Sequence, residues 1–131
     1  MAFENRSSEF ALGDLMLTGL NKEIRNDGRL KLVTRDQDCA LEGSINTFSE
    51  SVYSYDAANQ VQDYQVQMVL SVSFTDLINN KVLYENKNLT LTELYAIAEG
   101  GTAKFKTKEE AIDEIITKLY QTVLQNSLES W

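Results

Sequence analysis

The sequence predicts an α+β protein, a two-layer sandwich in which two amphipathic α-helices lie on one face of a sheet of long strands. Three observations carry this expectation. Apolar residues recur at helical spacing near both ends of the chain, from Phe10 to Ile24 and from Ala111 to Leu124. Between them, Tyr64, Val66, Met68, Leu70, Val72 and Phe74 alternate with Asp63, Gln65, Gln67, Val69, Ser71 and Ser73. That period of two makes one sheet face core and the other polar. Finally, the 131 residues contain no Pro and no Pro-rich or Ser-rich linker, so 1–131 reads as one unit whose strands can run long.

The first helix is expected to begin near Ser7 or Ser8, either of which can cap it, with Glu9 favourable to the helix dipole. Phe10, Leu12, Leu15, Met16, Leu20 and Ile24 form its apolar stripe, and Asn26-Asp27-Gly28 is a stop signal. Gly13 and Gly19 inside it each cost about 1 kcal/mol relative to Ala, which close packing would offset. Leu30-Lys31-Leu32-Val33 reads as a short strand.

Three long strand segments follow. In the first, from about Cys39 to Tyr55, Leu41 and Ile45 share one phase and Phe48 and Val52 the other, which predicts a β-bulge or strong local twist. Asp56-Ala57-Ala58-Asn59 is the next loop. The second is the alternating segment around Leu70, closed by an Asn79-Asn80 turn. The third, from about Lys81 to Tyr95, carries Val82, Tyr84, Leu89, Leu91 and Tyr95 inward, with an irregularity near Asn86 to Asn88. Each would reach on the order of 50 Å if straight. A loop from Ala96 to Lys106, with Gly100-Gly101, reads as flexible. Thr107-Lys108-Glu109-Glu110 is a capping box that opens the last helix. Ala111, Ile112, Ile115, Ile116, Leu119, Tyr120, Val123 and Leu124 give that helix a broad stripe suited to a sheet. Short connections favour antiparallel meander pairing of the long strands.

Composition excludes several chemistries. There is no His, so no imidazole base or metal ligand, and one Cys makes neither an internal disulfide nor a thiolate zinc cluster. Twenty acidic and 12 basic residues give a net charge of −8, which argues against non-specific nucleic-acid binding. Hydrophobic content of 43% and charged content of 24% are ordinary for a folded domain. Cys39 has Asp36 and Asp38 as neighbours and reads as a half-buried strand residue, not as an activated thiol. Glu109, Glu110, Asp113 and Glu114 have a complete explanation as helix-start residues. No stretch is long and apolar enough to span a bilayer as a helix, and there is no signal-peptide start. The opening Met1-Ala2-Phe3 looks like a strand entered partway, so a natural N-terminus upstream of Met1 is expected, where an export signal or lipid-attachment Cys would lie.

Two features remain as candidate sites. Lys104, Lys106 and Lys108 are the densest basic cluster, leading into a helix N-terminus; they suit either solvent or an anionic, phosphate-bearing ligand. Gln65, Gln67, Ser71 and Ser73, with Thr90 and Thr92, form a sheet face of amides and hydroxyls with little charge, suited either to water or to docking on another polar surface.

The layout resembles the LptE family of lipopolysaccharide-assembly lipoproteins. Phe3-Glu4-Asn5-Arg6 resembles the end of that family's first strand. Leu20-Asn21-Lys22-Glu23 and Asp27 to Val33 resemble its first helix and the following strand. Asp63-Tyr64-Gln65-Val66-Gln67-Met68 resembles the start of a central strand, and the capped helix with Ile115-Ile116 and Leu119-Tyr120 resembles the closing helix. The resemblance implies two helices on a mixed, mostly antiparallel four-stranded sheet. It implies a non-enzyme without cofactor or metal, tethered to the inner leaflet of the outer membrane by a lipidated Cys that would precede residue 1. It implies a plug in the LptD β-barrel that assists barrel assembly and binds lipopolysaccharide, with Lys108 at the family's lysine position and Lys104 and Lys106 extending the patch. The large barrels have polar interiors, which suits the neutral sheet face. The net charge confines any contact with an anionic glycolipid to the local basic loop. Two rival readings are an envelope or periplasmic binding module for another ligand or protein, using the polar face or the sheet end, and a small hydrolase using carboxylates or Ser/Lys chemistry.

Overall fold

The computed structural model describes residues 2–26 and 39–130. The strand expected at 30–33, the stop at Gly28 and the acidic pair Asp36 and Asp38 lie outside them, as does the side chain of Cys39. β1 (Ala2–Asn5) precedes α1 (Leu12–Asn26), then come β2 (Cys39–Tyr55), β3 (Val61–Asp76), β4 (Lys81–Ala96) and α2 (Lys108–Ser130). The strands form one sheet in the order β1-β2-β3-β4. β1 runs parallel to β2, with Ala2–Asn5 facing Glu42–Ile45, while β2–β3 and β3–β4 are antiparallel. A tight turn cannot join parallel neighbours, so a crossover containing α1 links β1 to β2. This is the mixed, mostly antiparallel sheet with two helices on one face, and one apolar cluster joins Leu12, Met16 and Leu20 of α1, Val66 to Phe74 of β3 and Ile112 to Leu124 of α2.

α1 starts at Leu12, later than the serines suggest. Ser7 turns the chain instead of capping it: its hydroxyl donates to Asn5 Oδ1 at 2.6 Å and accepts the Glu9 N–H at 3.2 Å. Phe10, expected inside, falls in this turn and is 94% exposed. Leu12, Met16 and Leu20 are buried, with Leu15 and Ile24 partly so. Gly19 is required by helix packing, because a Cβ there would lie 2.7 Å from Ile116 Cγ2. Gly13 meets no such demand: its nearest neighbour would be Asn5 Cβ at 3.8 Å.

The strand irregularities fall where the apolar phases change. β2 shifts register between Ile45 and Thr47, which is where the inward residues pass from Ile45 to Phe48. β4 jumps from Leu89 opposite Leu70 to Asn86 opposite Val72, within the expected stretch. A second shift corrects the reading of Val82. Tyr84 pairs with Phe74 and Val82 with Thr75, so Leu83 is the extra residue; it is buried, and Val82 is exposed. Asn59 and Asn80 take left-handed φ values of 62° and 51°, which Asn tolerates at turns. In β3 the buried set Val66, Met68, Leu70, Val72 and Phe74 follows the alternation, with Tyr64 half-buried.

α2 opens on the expected capping box. The Glu110 N–H donates to Thr107 Oγ1 at 3.1 Å, and Glu110 Oε1 accepts the Lys106 N–H and the Thr107 hydroxyl, each at 3.2 Å. Its whole apolar stripe is buried. Lys118 ties it to β4, with its ammonium 2.8 Å from Glu93 and donating to the Thr92 carbonyl at 3.0 Å. Burial, the largest single influence, would raise the Glu93 carboxyl; the Lys118 bond, the Leu94 N–H and the charges of Lys118 and Lys104 together outweigh it and hold the group below its ordinary value.

Candidate docking face and basic loop

The face of the sheet away from the helices is built in rows across β2, β3 and β4. Gln65 lies between Ser51 and Leu94, Gln67 between Ser49 and Thr92, and Val69 between Thr47 and Thr90. Ser71 is opposite Ser44, and Ser73 lies between Glu42 and Glu85. The structure therefore brings Gln65, Gln67, Ser71, Ser73, Thr90 and Thr92 together on one surface, with Thr92 facing Gln67 directly. It also adds Ser44, Thr47, Ser49 and Ser51, which sequence reasoning missed. The Asn46 bulge reverses the phase of β2, so Ser44 and the later serines do not share one alternation. The usable signal was the run of hydroxyl residues on both sides of that phase change.

Hydrogen bonds join the two bulges. Ser44 Oγ donates to Asn46 Oδ1 at 2.7 Å, Asn46 Nδ2 donates to Ser71 Oγ at 3.0 Å, and Ser71 Oγ donates to the Lys87 carbonyl at 3.0 Å. The Asn46 side chain at one irregularity and the Lys87 carbonyl at the other are thus tied to the central strand. Beside this chain runs an open groove of about 570 Å³, with Ser44, Ser71 and Ser73 on its floor and Glu4, Arg6, Glu42, Glu85 and Lys87 around it. The Gln65, Gln67 and Val69 rows carry no charged side chain.

The basic loop is pinned, contrary to the flexible reading, and Asp63 pins it. Asp63 belongs to the polar phase of β3 yet is buried. Its carboxylate accepts the Ser54 hydroxyl at 2.6 Å, the Thr102 N–H at 3.3 Å and the Ala103 N–H at 3.1 Å. The Ser54 bond is the largest influence on its pKa. With the two amides and the Lys106 charge, it holds the group below its ordinary value against the opposing effect of burial. The Ile97 N–H donates to the Gln62 carbonyl at 2.9 Å and the Ala96 N–H to the Phe105 carbonyl at 2.8 Å. Gly101 permits this closeness, since a Cβ there would lie 2.6 Å from Ala96 Cβ and 2.8 Å from Asp63 Oδ1.

The three lysines end up in different surroundings. Lys104 and Lys106 are exposed, with the Lys104 ammonium 5.4 Å from the Phe105 ring centroid. Lys108 is drawn into a cluster. Its ammonium is 2.9 Å from Glu9 and 3.6 Å from Glu50, and 5.3 Å from the Phe48 ring centroid. The Glu9 bond raises the Lys108 pKa, and the Glu50 charge adds to it. Glu50 also accepts the Tyr95 hydroxyl at 2.8 Å. Desolvation, and then this bond, push the Tyr95 phenol up. Lys108 thus joins the approach to α1, β2 and the start of α2. Among the described residues no cluster of His, Cys, Asp or Glu could hold a metal ion, and no helix is long and apolar enough to cross a membrane.

Comparison with known proteins gives this arrangement a family. The profile of the LptE family, described as lipopolysaccharide-assembly, matches residues 1–127. No curated protein matches the chain. Among solved structures, a minor lipoprotein from Acinetobacter baumannii has a similar fold at 12% identity and a TM-score of 0.51, over 95% of this chain and 93% of that one. The rare lipoprotein B of Shewanella oneidensis aligns at 12% identity over 99% and 90% of the two chains, with a TM-score of 0.42. A lipoprotein from Neisseria meningitidis aligns at 10% identity over 94% of each, with a TM-score of 0.46. With nearly the whole chain covered by the family profile, this protein belongs to the LptE lipopolysaccharide-assembly family.

Proposed function

We propose that the chain is a non-catalytic assembly factor that docks by its open sheet face inside the LptD barrel of the outer membrane, assists the barrel's assembly and contacts lipopolysaccharide. The observation that carries this is the stretch of the outer face where the successive Gln65, Gln67 and Val69 rows hold no charged side chain although the whole chain has a net charge of −8. A surface built for water carries interspersed Lys and Glu. Amides and hydroxyls can exchange bonds with water for bonds with a polar barrel lining, without desolvating an ion. Family membership supplies the partner class, and the lipoproteins among the structural relatives support an envelope lipoprotein anchored on the periplasmic side of the outer membrane. Lys104 and Lys106 would meet lipopolysaccharide phosphates, while Lys108 holds the helix start beneath them. The net charge argues against a nucleic-acid partner.

Two measurements test this reading. The lipidated protein expressed with an LptD barrel should purify as a stable complex; recovery from outer membranes without a barrel would overturn the docking. Lys104→Glu with Lys106→Glu should weaken lipopolysaccharide binding at least about tenfold, because two favourable charges become two unfavourable ones while the Lys108 cluster that holds the helix start stays intact. Unchanged binding by the folded variant would refute the basic site. The groove at Ser44, Ser71 and Ser73 favours a second reading, an envelope module that binds another polar ligand. A bound molecule in that groove without any barrel partner would support it.

A further inference from the structure

We infer that the β1-side edge of β2, from Thr47 to Val52, is a strand-addition site for an extended segment of the barrel partner; this rests on the docking reading above. β1 covers only the start of that edge. Its pairing ends with Asn5 opposite Ile45, followed by one bond from the Arg6 N–H to the Ile45 carbonyl at 2.9 Å. The chain then turns away toward α1, and no described residue pairs with this side of β2 from Thr47 to Val52. Ile45 aims its carbonyl at β1. Alternation resumed after the Asn46 bulge therefore turns the backbone of Thr47, Ser49 and Ser51 toward β3 and that of Phe48, Glu50 and Val52 outward. Six residues of strand, an ordinary strand length of about 5–6, thus present a ladder of donors and acceptors.

The opposite edge is protected in ways this one is not. β4 carries exposed Lys81, Glu85 and Lys87 and is bridged near its end from Tyr95 to Phe105. The Thr47–Val52 stretch has one charged residue, Glu50, and its carboxylate is engaged by Lys108 and Tyr95. Thr47, Phe48 and Val52 favour a strand, and Tyr53 and Tyr55 just beyond are 56% and 60% exposed. An edge of this composition recruits another strand.

Charge identifies the occupant. A second copy would bring its own −8 against this one, whereas a neutral or basic segment meets no such repulsion. An added strand would place one set of side chains beside Phe48, Glu50 and Val52, which suits apolar and basic residues. It would place the other set beside Thr47, Ser49 and Ser51, which extends the hydroxyl-lined docking face by one strand.

Amide hydrogen exchange on the isolated protein and on the protein co-purified with an LptD barrel decides this. In the isolated chain, the Phe48, Glu50 and Val52 amides should exchange at least about 100-fold faster than those of Thr47, Ser49 and Ser51; in the complex they should slow by at least about tenfold. Val52→Pro removes one outward donor and leaves the β2–β3 bonds intact, so it should reduce barrel recovery about tenfold with little change in Tm. Protection of the outward amides in the isolated chain, whether by its own residues or by a dimer, would overturn the proposal. A complex in which they stay fast would overturn it while leaving the docking reading standing. Absence of any barrel complex would end both.

Discussion

The two faces of β3 share one backbone and differ in everything else. On the helix side, Val66, Met68, Leu70, Val72 and Phe74 are all buried at 2% exposure or less and lie under both helices. On the other side, Gln65, Gln67, Val69, Ser71 and Ser73 are half-buried by their strand neighbours alone and face outward. The first face binds the fold together and leaves nothing for a partner. The second contributes little burial and presents hydrogen-bonding groups. A single alternation therefore separates stability from docking, and substitutions one residue apart should affect different properties.

The sharpest version of that contrast is Leu70→Ala against Gln67→Ala. Emptying the site of Leu70 leaves a cavity and should cost about 2–5 kcal/mol, while truncating the outward Gln67 should stay within about 0.5 kcal/mol. Urea unfolding of both variants measures the gap, and equal losses would break the division between faces. Asp63 sharpens the contrast by violating it, since it sits on the polar phase but is buried. Asp63→Ala leaves the Ser54 hydroxyl and the Thr102 and Ala103 amides without their acceptor. It should cost about 1–3 kcal/mol and loosen the basic loop, visible as faster amide exchange at Thr102 and Ala103. A smaller effect is the pH response. Asp63 and Asp76 both titrate below their ordinary value of 3.8 in the folded chain, Asp76 chiefly through its bond to the Asn79 side chain. A depressed folded pKa contributes stability that is present above the unfolded value and lost as pH falls through the folded one. Stability should therefore decline on acidification below about pH 4, and Asp63→Asn with Asp76→Asn should flatten that decline. An unchanged acid profile would mean that neither carboxylate contributes this way.

How much of this could be read beforehand follows from the range of the interactions. The alternation of β3, the capping box at Thr107 and the phase break near Asn46 are short-range patterns, and they appear where the sequence places them. The mixed pairing of β1 was expected only through family resemblance, because four residues carry no signal for parallel partners. Phe10 and Val82 were misread for one reason: a turn or an extra residue nearby shifts the phase without changing the apolar pattern. Ser49 and Ser51 joined the docking face only once the register was known. The division of labour among the lysines was invisible too, since Glu9 and Glu50, which hold Lys108, come from distant parts of the chain.

The central claim is that the uncharged rows of the outer sheet face, at Gln65, Gln67 and Val69, are what the barrel holds. Gln65→Glu with Gln67→Glu keeps the shape of both side chains and places two carboxylates in the middle of that face. If the account is right, the variant unfolds within about 2 °C of the parent, because both half-buried side chains face outward, away from the core, and recovers at least about tenfold less LptD barrel, because docking would bury two unpaired charges. Barrel recovery equal to that of the parent, from an equally stable variant, would contradict it.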